Sequence, residues 1–155
     1  RSERGWEVAR SSAKDLLSGP DRELTIATAM LYWGEGSKKA CEFINSNGSM
    51  IRCYLTFLRN AVKVPESEIH PTMRYFGMMD RNECLAYWSD ITQIPPTRFI
   101  VRYNDGSTKG RTKYGLCRIT VGKGGQQLLK TIRVLIDSVA EAIGPRSSTD
   151  RTAQS

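Results

Sequence analysis

The chain has 155 residues, 39% hydrophobic and 25% charged, enough for one domain with a real core and too apolar for a disordered segment. No apolar run approaches the roughly 18 residues that span a bilayer, and no secretory signal is visible, so no membrane partner is expected. The formal net charge of +7 turns attention to polyanions.

Taken in chain order, residues 1–20 read as a lead-in helix running to Leu17 and stopped by Ser18-Gly19-Pro20, with a narrow stripe of Val8, Ala9, Ser12, Ala13 and Leu16. Asp21 is placed to cap a second helix, 22–35, through its side-chain oxygen. The second half of that helix, Ala29-Met30-Leu31-Tyr32-Trp33, has no polar face, so it needs covering on more than one side. Cys41 to Asn45 reads as a short strand. Asn47 or Ser49 then caps a helix over about 49–62, and Ile69 to Phe76 reads as a strand despite Pro71. Asp80 to Thr92 reads as a helix, ended by Ile94-Pro95-Pro96.

Arg98 to Asn104 alternates, with Arg98, Ile100, Arg102 and Asn104 on one face and Phe99, Val101 and Tyr103 on the other. Asp105-Gly106 signals a turn, and Lys113 to Gly122 returns with Cys117, Ile119 and Val121 on one side and Tyr114, Arg118 and Thr120 on the other. The two segments predict a β-hairpin over 98–123. A final helix of about 18 residues follows Gly124-Gly125, stopped by Gly144-Pro145, with a polar, disordered tail over 145–155. Interleaved helices and strands with one late hairpin predict an α+β domain over 21–144, an antiparallel sheet packed by helices.

The positive charge is not spread evenly. Residues 1–95 carry 12 basic and 12 acidic side chains, whereas 96–123 carry Arg98, Arg102, Lys109, Arg111, Lys113, Arg118 and Lys123 against Asp105 alone. One-signed clustering on one element is the footprint of a polyanion such as nucleic acid. The four cysteines, Cys41, Cys53, Cys84 and Cys117, form no CxxC pair, and the single histidine, His70, completes no zinc cluster with them. They read as reduced thiols in a cytosolic compartment.

The stretch Leu31-Tyr32-Trp33-Gly34-Glu35-Gly36-Ser37-Lys38-Lys39 ends an apolar helix on a carboxylate between two glycines. Helix C-termini are partially negative, so a carboxylate there is disfavoured. Either Glu35 and the helix-end carbonyls attract a hard cation such as Mg²⁺, or Gly34 and Gly36 form an ordinary cap and Glu35 is solvated.

This segment resembles the signature helix of the LAGLIDADG homing-endonuclease-like family, an apolar helix ending in acid-Gly, with Glu35 at the position of the family's metal-binding acid. The resemblance continues through Asn45-Ser46-Asn47, Tyr87-Trp88-Ser89, Ile94-Pro95 and Lys113-Tyr114-Gly115, and covers roughly 22–140. It resembles a bacterial and phage branch whose helix reads LYWGEGSK.

The resemblance implies a homodimer paired through the signature helix at Ala27, Met30, Leu31 and Gly34, with two copies of Glu35 holding Mg²⁺ for hydrolysis of double-stranded DNA. Lys113 is implied as a basic residue supporting the transition state. Lys38, Lys39, Arg98, Arg102, Lys109, Arg111, Lys113, Arg118 and Lys123 are the expected DNA-binding set, with the sheet in the major groove. The chain departs from the family in having Glu for the commoner Asp, Trp33 where relatives carry a second acid or small residue, and one strand in place of a first hairpin. These departures bear on cleavage more than on DNA binding. A non-catalytic DNA-binding or regulatory module, or an RNA-binding maturase-like derivative, is the alternative on the same fold.

Overall fold

The computed structural model describes residues 2–106 and 112–144. Helices α1 (Ser2–Ser18), α2 (Arg22–Glu35), α3 (Gly48–Thr56), α4 (Arg81–Thr92) and α5 (Gly125–Ile143) accompany strands β1 (Glu42–Asn45), β2 (Ile69–Phe76), β3 (Ile100–Asn104) and β4 (Leu116–Val121). The class is α+β, as the alternation of elements requires. The expected tail over 145–155 lies outside the described residues. Among the described residues no helix is long and apolar enough to cross a membrane.

The sheet is mixed, in the order β1-β4-β2-β3. β4 runs antiparallel to both β1 and β2, whereas β3 runs parallel to β2. This corrects the expected hairpin and the all-antiparallel sheet, because β2 lies between β3 and β4. The alternation of 98–104 and 113–122 specified two strands but not their neighbours. β2 has free edges on both sides for these ladders, and its Ile69, Pro71, Thr72 and Met73 are buried. Pro71 sits inside an interior strand because β3 begins pairing only at Thr72, one residue beyond the missing N–H.

One face of the sheet carries the core. Phe43, Ile69, Met73, Cys117, Ile119 and Val121 point into it beneath the helices. Tyr32, Phe43 and Tyr54 form an aromatic cluster, with Phe43 and Tyr54 stacked at 5.3 Å. α5 supplies Leu128, Leu129, Ile132 and Leu135, its apolar positions recurring at helical spacing. α1 lies on α5 and α2, with Ala9 and Ala13 fully buried.

Local signals decide the helix ends. Asn47 accepts the Met50 N–H at 3.1 Å and Asp80 the Glu83 N–H at 2.9 Å, each a side-chain cap on an otherwise unpaired donor. Asp21 makes no such bond; only its carbonyl engages, accepting from Thr25. The helix expected over 49–62 changes character at Phe57, where α3 gives way to a π-helical turn, Phe57–Val62, closed by Lys63 in the left-handed region at φ 63°. Gly115 (φ 75°) makes the bend into β4, and a Cβ there would collide with the Arg74 carbonyl. Only glycine satisfies both conditions.

Candidate nucleic-acid interface

The opposite face of the sheet is partly open to solvent, most so at its edges, with Thr72 buried at its centre, and strand register fixes what it displays. Ile44, Arg118, Thr72 and Ile100 form one row across all four strands. Leu116, Arg74 and Arg102 form the next, and Glu42, Thr120 and His70 the row on the other side. Ile100 is 49% exposed and Ile44 39%. Arg102 is exposed, and Arg74 and Arg118 are half-buried.

Arg74 lies directly opposite Arg102, about 5 Å away at Cβ, where like charges destabilise a sheet. Arg118 is diagonal to Arg74 across the β2–β4 pair. None of the three forms an ion pair among the described residues. The Nε of Arg118 is cut off from solvent without a hydrogen-bond partner. The carboxylates near this face are at its other end, where Glu42 accepts from Thr120 and Glu68 accepts the Lys123 N–H at 2.7 Å. The basic surface is therefore polarised along the strands.

Of the expected basic residues, Arg102 and Arg118 lie on this face. Arg98 does not belong with them. It closes a 3₁₀ turn, Pro96–Arg98, and its guanidinium donates to the carbonyls of Glu66 (2.9 Å) and Ile69 (2.8 Å) and pairs with Glu66. Its charge is spent on holding the entrance to β2. Lys113 precedes β4 and lies 5.2 Å over the Tyr114 ring, which stacks on Tyr87 of α4 at 4.1 Å. No contact among the described residues brings it to Glu35. Lys39 is exposed beside α5 and Lys123 is exposed at the turn into it. Lys109 and Arg111 lie outside the described residues. Arg74 was missed in the sequence. Its parity with His70 and Thr72 marks it as facing away from Ile69 and Met73, but its value appears only once Arg102 and Arg118 are known to flank it.

Glu35 ends α2 and is exposed. Gly36 bridges to Phe43, which sets the helix end against the β1 edge of the sheet. Along α2, Ala27, Trp33 and Gly34 are exposed and Met30 and Leu31 half-buried, so the expected pairing positions lie partly uncovered. Trp33 is 51% exposed. A Cβ added at Gly34 would meet nothing within 4 Å.

The fit to a hard cation is divided. The Glu35 carboxylate makes no ion pair among the described residues, but the Tyr32 and Trp33 carbonyls are engaged. Lys38 donates to the carbonyls of Trp33 (2.8 Å) and Tyr32 (3.4 Å), and the Gly36 N–H also reaches Tyr32 O. Lys38, expected on DNA, thus sits on the end of α2. Among the described residues no three His, Cys, Asp or Glu side chains stand together as a metal site.

The ionisable groups with shifted protonation are buried thiols and tyrosines. Burial pushes the Cys41 thiol up to about 11, with a contact to Tyr54 opposing and Glu42 adding to the shift. Burial likewise raises Cys117 and Cys84. No protein-family model matches the chain, and neither a curated protein nor a solved structure matches it.

Proposed function

We propose that the protein is a homodimeric, double-stranded-DNA-binding protein that grips the duplex with the open face of its sheet. The observation that carries this reading is the Arg74–Arg102–Arg118 cluster, without ion pairs among the described residues and set by strand register on the side of the sheet away from the core. Opposed guanidiniums raise the energy of the free protein, and phosphates relieve it; an Arg fork also suits base edges in the major groove. The partly uncovered α2 stripe and the likeness of residues 22–140 to the LAGLIDADG signature support pairing through α2.

On that arrangement two Glu35 carboxylates meet between two sheets. Mg²⁺ held there would activate water against a phosphodiester, and the chain's part is to supply the carboxylates and hold the DNA across them. The exposure of Glu35 at the sheet edge favours this catalytic reading, while the departures at Glu35 and Trp33 favour a binder that no longer cuts.

The test is fluorescence anisotropy with a pool of duplex DNA at several salt concentrations, alongside incubation of supercoiled DNA with Mg²⁺. Arg74→Gln and Arg102→Gln are each expected to weaken binding and lower the salt slope by about 0.9. Duplex affinity unchanged in both variants overturns the interface. Metal-dependent strand breaks by the natural chain that vanish in Glu35→Gln establish the nuclease. Retained binding without breaks leaves the regulatory module.

A further inference from the structure

We propose that Lys38 is a built-in counter-charge that lets two copies of Glu35 approach one another in the α2-paired dimer, an inference that rests on the dimer reading above. The loop after α2 is constructed to return this ammonium to the helix end. The Ser37 N–H donates to the Glu42 carbonyl, and Ser37 Oγ accepts from the amides of Lys39 (3.2 Å) and Ala40 (3.3 Å). Arg133 of α5 donates to the carbonyl of Lys38 itself. Gly36 permits the sharp exit, because a Cβ there would collide with the Tyr32 ring. Held this way, Lys38 Nζ lies 2.8 Å from the Trp33 carbonyl.

The need for that charge follows from counting. The C-terminal end of a helix carries roughly half a negative charge, and Glu35 adds a full one. Gly34 carries no side chain and has nothing within 4 Å of its Cβ position, so in the paired arrangement a second backbone can approach there. Two such ends at a two-fold axis gather about three negative charges, and two lysines offset most of them. A lysine that merely capped its own helix would act on the fold of one protomer. Lys38 acts as a positioning residue on the pair, doing without metal what a bound cation would otherwise do for the close approach of the carboxylates.

The experiment is sedimentation equilibrium of the full chain, with and without Mg²⁺, for the natural sequence, Lys38→Met, Lys38→Arg, Glu35→Gln and the Lys38→Met/Glu35→Gln double variant. The natural chain is expected to dimerise without Mg²⁺ and to tighten only modestly with it, since an ion held by both carboxylates favours the pair. Lys38→Met is expected to weaken the dimer about tenfold or more and to regain affinity with Mg²⁺. Lys38→Arg retains affinity, and Glu35→Gln restores the dimer in the Lys38→Met background. A Lys38→Met dimer as tight as the natural one overturns the proposal. So does equal weakening in both Glu35 backgrounds, the signature of a purely local role, which thermal melting of each variant would register. A natural chain that is monomeric throughout sinks the dimer reading itself, whereas a natural dimer without Lys38–Glu35 coupling sinks only this inference.

Discussion

Arg98 and Arg102, four residues apart, show how far a side chain's role depends on its immediate contacts. The guanidinium of Arg98 satisfies two carbonyls and approaches Glu66, which also binds Arg59 at 2.5 Å. Arg98→Ala leaves those carbonyls short of a charged donor and is expected to destabilise the fold by about 1–3 kcal/mol, read by urea denaturation. At the same time it should leave the salt slope of DNA binding unchanged; a lower slope would return Arg98 to the interface. Gly115 makes the complementary case. Gly115→Ala places a Cβ against the Arg74 carbonyl in a left-handed backbone, and a loss of about 2 kcal/mol or more is expected in the same assay.

At the scale of elements, α2 has one buried side and one uncovered side. Thr25, Thr28, Ala29 and Tyr32 are buried in the protomer, and Thr28 back-bonds to the Leu24 carbonyl. Ala27 and Gly34 face out. Ala27→Glu is therefore the probe of pairing, expected to give a folded monomer in sedimentation, whereas a charge at Ala29 would enter the core. A natural-mass dimer in Ala27→Glu would remove α2 from the interface. α3 offers a test of local chemistry: Asn47→Ala should lower stability by about 1 kcal/mol through loss of the bond to Met50 N–H, as thermal unfolding would register.

For the whole molecule, the buried thiols and tyrosines set an upper pH limit. Cys41 has an ordinary value of 9.0 and sits at about 11 when folded, so the native state holds its proton more tightly than the unfolded chain. Stability from this group is complete below pH 9 and is lost as pH rises through 11, a decline on the order of 2 kcal/mol. Buried Tyr32, Tyr54 and Cys117 are raised as well and carry the decline further. Thermal melting from pH 8 to 11 should show a falling midpoint; a flat profile would contradict the burial of these groups. All four cysteines are free, and a thiol reagent at pH 8 should modify at most Cys53 rapidly, the others being buried, and all four after unfolding.

The sequence by itself determined the elements. Apolar spacing, the capping residues Asn47 and Asp80, and the glycines beside α2 and α5 act over a few residues, so α2 and β2 appear over the expected spans. It also determined the sign and rough place of the charge, and the parity that puts Arg102 and Arg118 opposite the core-facing residues. Only the tertiary structure decided which strands are neighbours. β2 enters between β3 and β4, because strand pairing is a competition among segments distant in sequence whose alternation alone does not name a neighbour. The same long-range step recruited Arg74 to the basic face, withdrew Arg98 from it, and folded Lys38 back onto the helix that ends at Glu35.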